Sequence, residues 1–351
     1  MSSLQRLQSL YPWIKTPLVV GAPMRLIALA DMAVELSKAG GIGFIGAGTD
    51  VSDLESHVQK AQLLLQALPT PLASRSKTLP IGLGFINWGA SLPDSIDIIK
   101  KYSPAAVWFF APTSTTSLLE WTRSTRAASP DTQVWVQVGS VKEALDTVKT
   151  VTPDVLVVQG TDAGGHGLVR GASLITLLPE VQDAVRAAIV EQGGGEPPIF
   201  IAAGGIVEKR GAAAAHVLGA DGVVLGTRLL ASHEANIARG YQQEIIRASD
   251  GGQSTVRTKV YDNLRRTTGW AETHNARGVI NRSYHDAISG MDEERNKQLY
   301  DEETKKGDAG WGTHARMTTY AGSGVGLVKE VKSVEDIVRE IREGVEEVLG
   351  R

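Results

Sequence analysis

The sequence predicts an α/β fold, a (β/α)8 TIM barrel with an insertion or lid region after the eighth strand. Three observations lead there. Eight short apolar runs rich in Val and Ile alternate with longer amphipathic stretches. The runs are continuously hydrophobic rather than alternating, as strands buried on both faces of a parallel sheet must be. Several of them end in glycine-rich turns, at the strand ends where such barrels place their chemistry. A doubly wound open sheet would share the alternation, and it is the count of eight that favours the barrel.

In order, the predicted strands are LVVGAPM from Leu18, IGFIGAG from Ile42, IGLGFI from Ile81, AAVWFFA from Ala105, QVWVQVG from Gln133, VLVVQG from Val155, IFIAAGGI from Ile199 and GVVLGTRLL from Gly222. Helices between them carry start signals. Ser52 with Glu55, and Ser140 with Glu143, have capping-box spacing. In the first of these helices Leu54, Val58, Ala61 and Leu65 recur at helical spacing, a face suited to packing on a sheet. These elements place the barrel in residues 1–234. From about Ala235 to Gly326 the alternation stops, and RASDGGQ, YDNLRRTTGW and the charged MDEERNKQLYDEETKKGDAGW read as an insertion or lid subdomain, 235–326, over one barrel end. Its charge run reads as a solvated helix face. In the last segment, 327–351, Val334, Ile337, Val338, Ile341, Val345, Val348 and Leu349 form one apolar stripe, expected to return to the barrel wall.

Composition narrows the function. With 36 Lys plus Arg against 39 Asp plus Glu, the formal charge is -3, which provides no basic field for nucleic acid or an anionic membrane. The absence of cysteine excludes disulfides, thiol catalysis and thiolate metal sites. The N-terminal MSSLQRLQSLYPWIK lacks the basic and apolar regions of a signal peptide, and no apolar run is long enough to span a bilayer, so a cytoplasmic protein is expected.

A barrel's site lies at the carboxyl ends of its strands, with phosphate commonly held after strands seven and eight. Gly204 and Gly205 end strand seven, and Gly226 with Thr227 ends strand eight. There the glycine N–H groups and the threonine hydroxyl can reach an anion, helped by the positive end of a helix starting near Val207. There is no Walker loop, and GxGxxG is absent from the first turn. Strand six runs through Gln159 into TDAGGHG, a bare loop holding His166, where Gly165 and the other glycines would let a flat ligand approach. Imidazole there suits proton abstraction near neutral pH. The other six histidines fall in predicted helices, just beyond strand eight, or in the insertion. No HxxxH or HExxH pair marks a metal, and no GxSxG elbow marks a serine nucleophile. Ala22, Pro23 and Met24 after strand one, Asn87 after strand three and Gln137 on strand five complete a mouth rich in amides and poor in carboxylates, more suited to a flavin's rim than to a divalent metal.

GAPM, VVQGTDAGGHG, AAGGI and DGVVLGTRLLAS, in that order, resemble the nitronate monooxygenase family, formerly called 2-nitropropane dioxygenases. The resemblance spans nearly the whole barrel, although flavin-dependent enoyl and quinone reductases carry loops similar to AGGHG. It implies an FMN cofactor, with His166 as catalytic base or substrate-orienting group. Main chain at Ala22, Pro23 and Met24 would contact the flavin ring. Asn87, Gln137 and Gln159 would bond its polar edge or ribityl chain, while Gly204, Gly205, Gly226 and Thr227 would hold its phosphate. The implied reaction oxidises an alkyl nitronate, propionate 3-nitronate among the candidates, or a deprotonated nitroalkane, with O2 to a carbonyl compound and nitrite. The family's second histidine near the site has no assigned position here, and the insertion has no motif assigned to substrate. Two alternatives stay open: an FMN-dependent NAD(P)H:quinone or enoyl reductase, and a flavin-free phosphate-sugar isomerase or aldolase. The latter should end a strand with a lysine or carboxylate, and none is seen.

Overall fold

The computed structural model describes residues 2–73 and 77–350. All eight expected strands form: β1 (Leu18–Gly21), β2 (Phe44–Gly48), β3 (Leu79–Ile86), β4 (Pro104–Phe110), β5 (Gln133–Val138), β6 (Val155–Gln159), β8 (Ile199–Ala203) and β9 (Gly222–Leu225). Their order is β1-β9-β8-β6-β5-β4-β3-β2, and every pairing is parallel. The two ends meet through the bridge Val20–Ile42, where Gly21 N donates to Ile42 O at 3.0 Å and Ile42 N to Val19 O at 3.2 Å. The sheet is thereby a barrel.

Two apolar layers hold it. Inside, Phe44, Trp108 and Trp135 pack edge-on or stacked with ring centroids 5.1–5.9 Å apart. The N-terminal helix Ser3–Leu10, which the sequence reading did not assign, sends Leu7 and the following Tyr11 into this layer, and Trp135 Nε1 donates to the Tyr11 hydroxyl at 2.7 Å. Outside, Leu54, Val58, Ala61 and Leu65 are buried with the outward strand residues, as their spacing predicts. The C-terminal helix Val334–Leu349 buries Val334, Ile337, Val338, Ile341 and Val345, but Val348 is exposed, because the helix's last turn runs past the wall.

Caps differ in instructive ways. Ser140 Oγ accepts from Glu143 N at 3.1 Å, while the Glu143 carboxylate takes Gly139 N at 2.7 Å rather than the Ser140 amide. The Ser52/Glu55 box does not form. That helix starts at Leu54 behind Asp53, and Ser52 N turns to Asp50 Oδ1 at 3.0 Å. The run GVVLGTRLL is not one strand either, since β9 stops at Leu225 and Thr227–Leu230 turns into a short helix.

The insertion adds a second sheet. β10 (Thr255–Thr258) and β11 (His274–Val279) pair antiparallel, and β11 pairs in turn with β7 (Gly165–Leu168), which opposes His166 to Ala276. The end of the expected bare loop after β6, from Gly165, is therefore an extended strand in a three-stranded sheet, while residues 161–164 form the turn before it. Among the described residues, no helix is long and apolar enough to cross a membrane.

Candidate active site

A cavity of about 980 Å³ opens at the carboxyl ends of the barrel strands. Ala22, Pro23, Met24, Gln137, Gln159, Gly165, His166, Gly204, Gly205, Gly226 and Thr227 all line it. The topology explains the convergence, because parallel strands deliver all their C-terminal turns to one rim. Arg25, Arg265 and Arg266 line it too, and no Asp or Glu is among the described lining residues, although Arg266 is paired with Asp301 at 2.8 Å and Arg25 lies 3.9 Å from Asp50.

Asn87 is the exception among the expected ligands. Its neighbours Ile86 and Trp88 line the cavity, whereas Asn87 does not; its Oδ1 accepts from Phe110 N at 2.8 Å. Its Nδ2, however, is buried with no protein partner, an orphaned donor beside the chamber that a bound group could satisfy. Gln137 Oε1 accepts from Trp108 Nε1 at 3.0 Å, and Gln159 Nε2 donates to His166 O at 3.3 Å, so both amides are aimed before any ligand arrives.

The glycines divide into two kinds. Gly204 and Gly205 sit at φ +103 and +77, a region that L side chains rarely adopt, which bends the chain after β8 back toward the cavity. Gly165 has φ +66, and a Cβ there would meet nothing within 4 Å, which keeps space open beside His166. Gly164 and Gly167 serve the protein instead. A Cβ on Gly164 would lie 2.5 Å from the backbone at Ala321 and Gly322, and one on Gly167 2.6 Å from Gln159 Oε1. Two of the three glycines in AGGHG thus accommodate protein neighbours, Gly164 the insertion and Gly167 the Gln159 side chain, rather than a flat ligand.

The anion cradle also needs amendment. The helix after β8 begins at Lys209, and Glu208 caps it, accepting from Arg210 N and Gly211 N at 3.1 Å each. A carboxylate therefore occupies the positive end expected to face the phosphate. The Thr227 hydroxyl accepts from Gly322 N at 2.9 Å, leaving its own hydrogen to donate. What remains for an anion is the backbone N–H set of the two glycine turns and that hydroxyl.

Around His166 the insertion does most of the building. Nε2 lies 2.8 Å from Asp262 Oδ1, and the side chains are 15% and 4% exposed. The same oxygen accepts from Thr267 Oγ1 at 3.0 Å and Tyr320 OH at 3.2 Å. Trp270 stacks on the imidazole with centroids 3.7 Å apart and planes 9° from parallel. Asp262, Thr267 and Trp270 all come from the YDNLRRTTGW stretch, whose break from barrel periodicity was the only sign of it in the sequence. His274 supplies a second histidine close by, packed 5.6 Å from Phe110 and 6.0 Å from Trp270 between ring centroids. Burial, with smaller contributions from His166, Arg257 and Lys259, pulls its pKa down to about 4, so it is neutral near pH 7.

The insertion is clasped to the β6–β7 turn. Arg257 donates to Thr161 O at 3.1 Å and Ala163 O at 3.2 Å, Arg277 to Thr161 O at 3.2 Å, and Ser323 to Asp162 through both its backbone and its hydroxyl. The turn that aims His166 is thus fixed by the segment that carries its partner Asp262.

Comparison with known proteins decides the family at this point. A family model described as nitronate monooxygenase matches residues 87–344. The chain belongs to the nitronate monooxygenase family. Nitronate monooxygenase npaC of Metarhizium robertsii is 47% identical over 348 residues, covering 98% of this chain and 95% of the relative. A nitronate monooxygenase of Neurospora crassa is 36% identical over 370 residues, with 99% and 93% covered. Among solved structures, nitroalkane oxidase from Streptomyces ansochromogenes superposes with a TM-score of 0.72 at 20% identity over 99% of this chain and 99% of that one, which shows a shared fold. Nitronate monooxygenases are flavin-dependent oxidoreductases, and the barrel with its ligand-sized chamber agrees with that class.

Proposed function

We propose that this nitronate monooxygenase uses FMN to oxidise alkyl nitronates, propionate 3-nitronate among them, and nitroalkanes after loss of their α-proton, with O2 as terminal acceptor and a carbonyl compound and nitrite as products. The observation that carries the reading is a carboxylate-paired imidazole on the wall of a chamber that also holds the glycine turns after β8 and β9. The residues fit FMN: backbone N–H groups of Gly204, Gly205 and Gly226 with the Thr227 hydroxyl for its phosphate, the main chain of Ala22, Pro23 and Met24 for its ring, and Gln137, Gln159 and the orphaned amide of Asn87 for its polar edge. When bound, FMN supplies the electron acceptor for the nitronate and the means of passing electrons to O2.

The chain's own residues supply the rest. A C–H beside a nitro group is acidic enough for imidazole to remove its proton, and the nitronate formed is an anion. Protonated His166 can then pair with that anion, while Trp270 holds the ring's plane. Segment 235–326 closes this mouth as a lid, contributing Tyr241, Trp270, Trp311 and Tyr320 to its walls.

An absorption spectrum of the purified protein, followed by aerobic turnover of propionate 3-nitronate and ethyl nitronate with nitrite as readout, tests the reading. His166→Ala should keep the yellow colour and lose roughly 100-fold or more of its rate on neutral nitroethane. Rapid anaerobic bleaching by NADH with no response to either nitronate would replace the proposal with a pyridine-nucleotide-dependent reductase. A colourless protein that FMN cannot reconstitute would remove flavin chemistry altogether.

A further inference from the structure

The lid brings a buried carboxylate to the imidazole that the barrel presents, and this contact constrains the chemistry beyond what a lone histidine could do. An ionised carboxylate only accepts hydrogen bonds, so at 2.8 Å from Asp262 Oδ1 the Nε2 atom of neutral His166 must carry the proton. The other ring nitrogen is then the one with a free lone pair. Among the described residues no protein group bonds Nδ1, and it is not sealed from solvent as Asp262 Oδ2 is. His166 lines the cavity, and Nδ1 is its ring nitrogen that stays unbonded and open to solvent.

We propose that Asp262 is the positioning residue of this site, fixing the neutral His166 tautomer with its proton on Nε2 so that Nδ1 is the atom that receives the α-proton of a neutral nitroalkane. The inference rests on the nitroalkane reading given above. In the step, the α C–H bond breaks, its electron pair stays on the substrate as the nitronate, and the proton forms the Nδ1–H bond. The imidazolium so made faces the Asp262 carboxylate through Nε2–H, so the charge created is matched by one already in place.

The surroundings favour this single role. Thr267 and Tyr320 also donate to Oδ1, which anchors the carboxylate from two further directions. Trp270 stacks on the imidazole within 9° of parallel, which resists the ring flip that would exchange the two nitrogens. Of the other titratable groups near the ring, Tyr320 donates its hydroxyl to Asp262 and His274 is neutral near pH 7, so neither sets a competing charge on the imidazole. Asp262 Oδ2 is buried with no partner, so the carboxylate's hydrogen bonds, the one to the imidazole included, converge on Oδ1.

The experiment has two parts. The first is 15N NMR of the flavin-loaded wild type labelled at histidine, with His166→Gln used to assign the signal. Expected is a neutral imidazole protonated at Nε2, whereas a proton on Nδ1 overturns the proposal whatever any variant does. The second compares kcat/KM for nitroethane and for preformed ethyl nitronate in Asp262→Asn, which keeps the shape and removes the charge. Because only nitroethane needs the proton taken, the ratio of the two should fall about 30-fold or more, chiefly through kcat. Equal losses on both substrates would make Asp262 a packing residue and sink the assignment. Failure of the wild type to form nitrite from ethyl nitronate would instead count against the proposed function, and the tautomer measurement would still stand by itself.

Discussion

Gly226 and Gly204 both line the cavity and belong to the proposed phosphate cradle, but should respond differently to a methyl group. An added Cβ on Gly226 would have Ala22 Cβ as its nearest neighbour at 3.6 Å, and its backbone lies at an ordinary φ of -112. Gly226→Ala should therefore fold with stability within about 0.5 kcal/mol of wild type, yet bind FMN at least tenfold more weakly because the methyl occupies cradle space. Flavin retention on desalting, beside a thermal melt, reads both, and full retention would show that the turn after β9 does not hold the cofactor. Gly204→Ala would place a Cβ 2.8 Å from Gly160 O at φ +103, so about 1–3 kcal/mol of stability should go with the flavin. These positions were legible in the sequence, because a glycine pair at the end of an apolar run has few physical uses. Asp262 was not, since a single carboxylate 96 residues from His166 carries no periodic signal and is brought to it by the pairing of β7 with β11.

At the scale of elements, the strands were the readable part and the internal structure of segment 235–326 was not. Continuous Val and Ile runs declare themselves, but β10 and β11 are short, half polar and meaningful only once paired with β7. The failed cap at Ser52 has the same origin. Spacing proposes a partner, while Asp50 and Asp53 compete for the same turn and win. The lid's attachment can be tested at Gly322, whose added Cβ would lie 2.5 Å from Asp162 O, a backbone atom with little room to yield. Gly322→Ala should cost about 1–3 kcal/mol, and that loss should be local. Hydrogen exchange is expected to rise in 235–326 and in the β6–β7 turn while the barrel strands stay protected. A uniform rise across the barrel would mean that lid and barrel unfold as one unit. At the start of the helix after β5, Ser140→Ala should cost about 1 kcal/mol through loss of the bond to Glu143 N, read as a lower melting temperature without change in turnover.

For the molecule as a whole, the coupling of lid to barrel makes stability depend on pH through a histidine that the sequence reading set aside. Burial first, then the nearby His166, Arg257 and Lys259, hold His274 at about 4, against 6.5 for an unhindered imidazole. Between these values the unfolded chain binds a proton that the folded chain refuses, so folded stability rises with pH across that window. The contribution is fully present above pH 6.5 and is lost progressively as pH falls toward 4. Allowing for partial exposure of the ring, the loss should be on the order of 1–2 kcal/mol. Carboxylates such as Glu143 and Asp221, which burial raises, contribute with the opposite sign, so an absolute melting curve mixes the two. Comparison with His274→Gln removes that ambiguity, since every carboxylate is common to both proteins. Whatever their difference at pH 7.5, the variant's melting temperature should fall less steeply than the wild type's between pH 6.5 and 4. Parallel curves would mean that His274 accepts its proton in the folded chamber, and that the space between Phe110 and Trp270 is wetter than the packing of their rings implies.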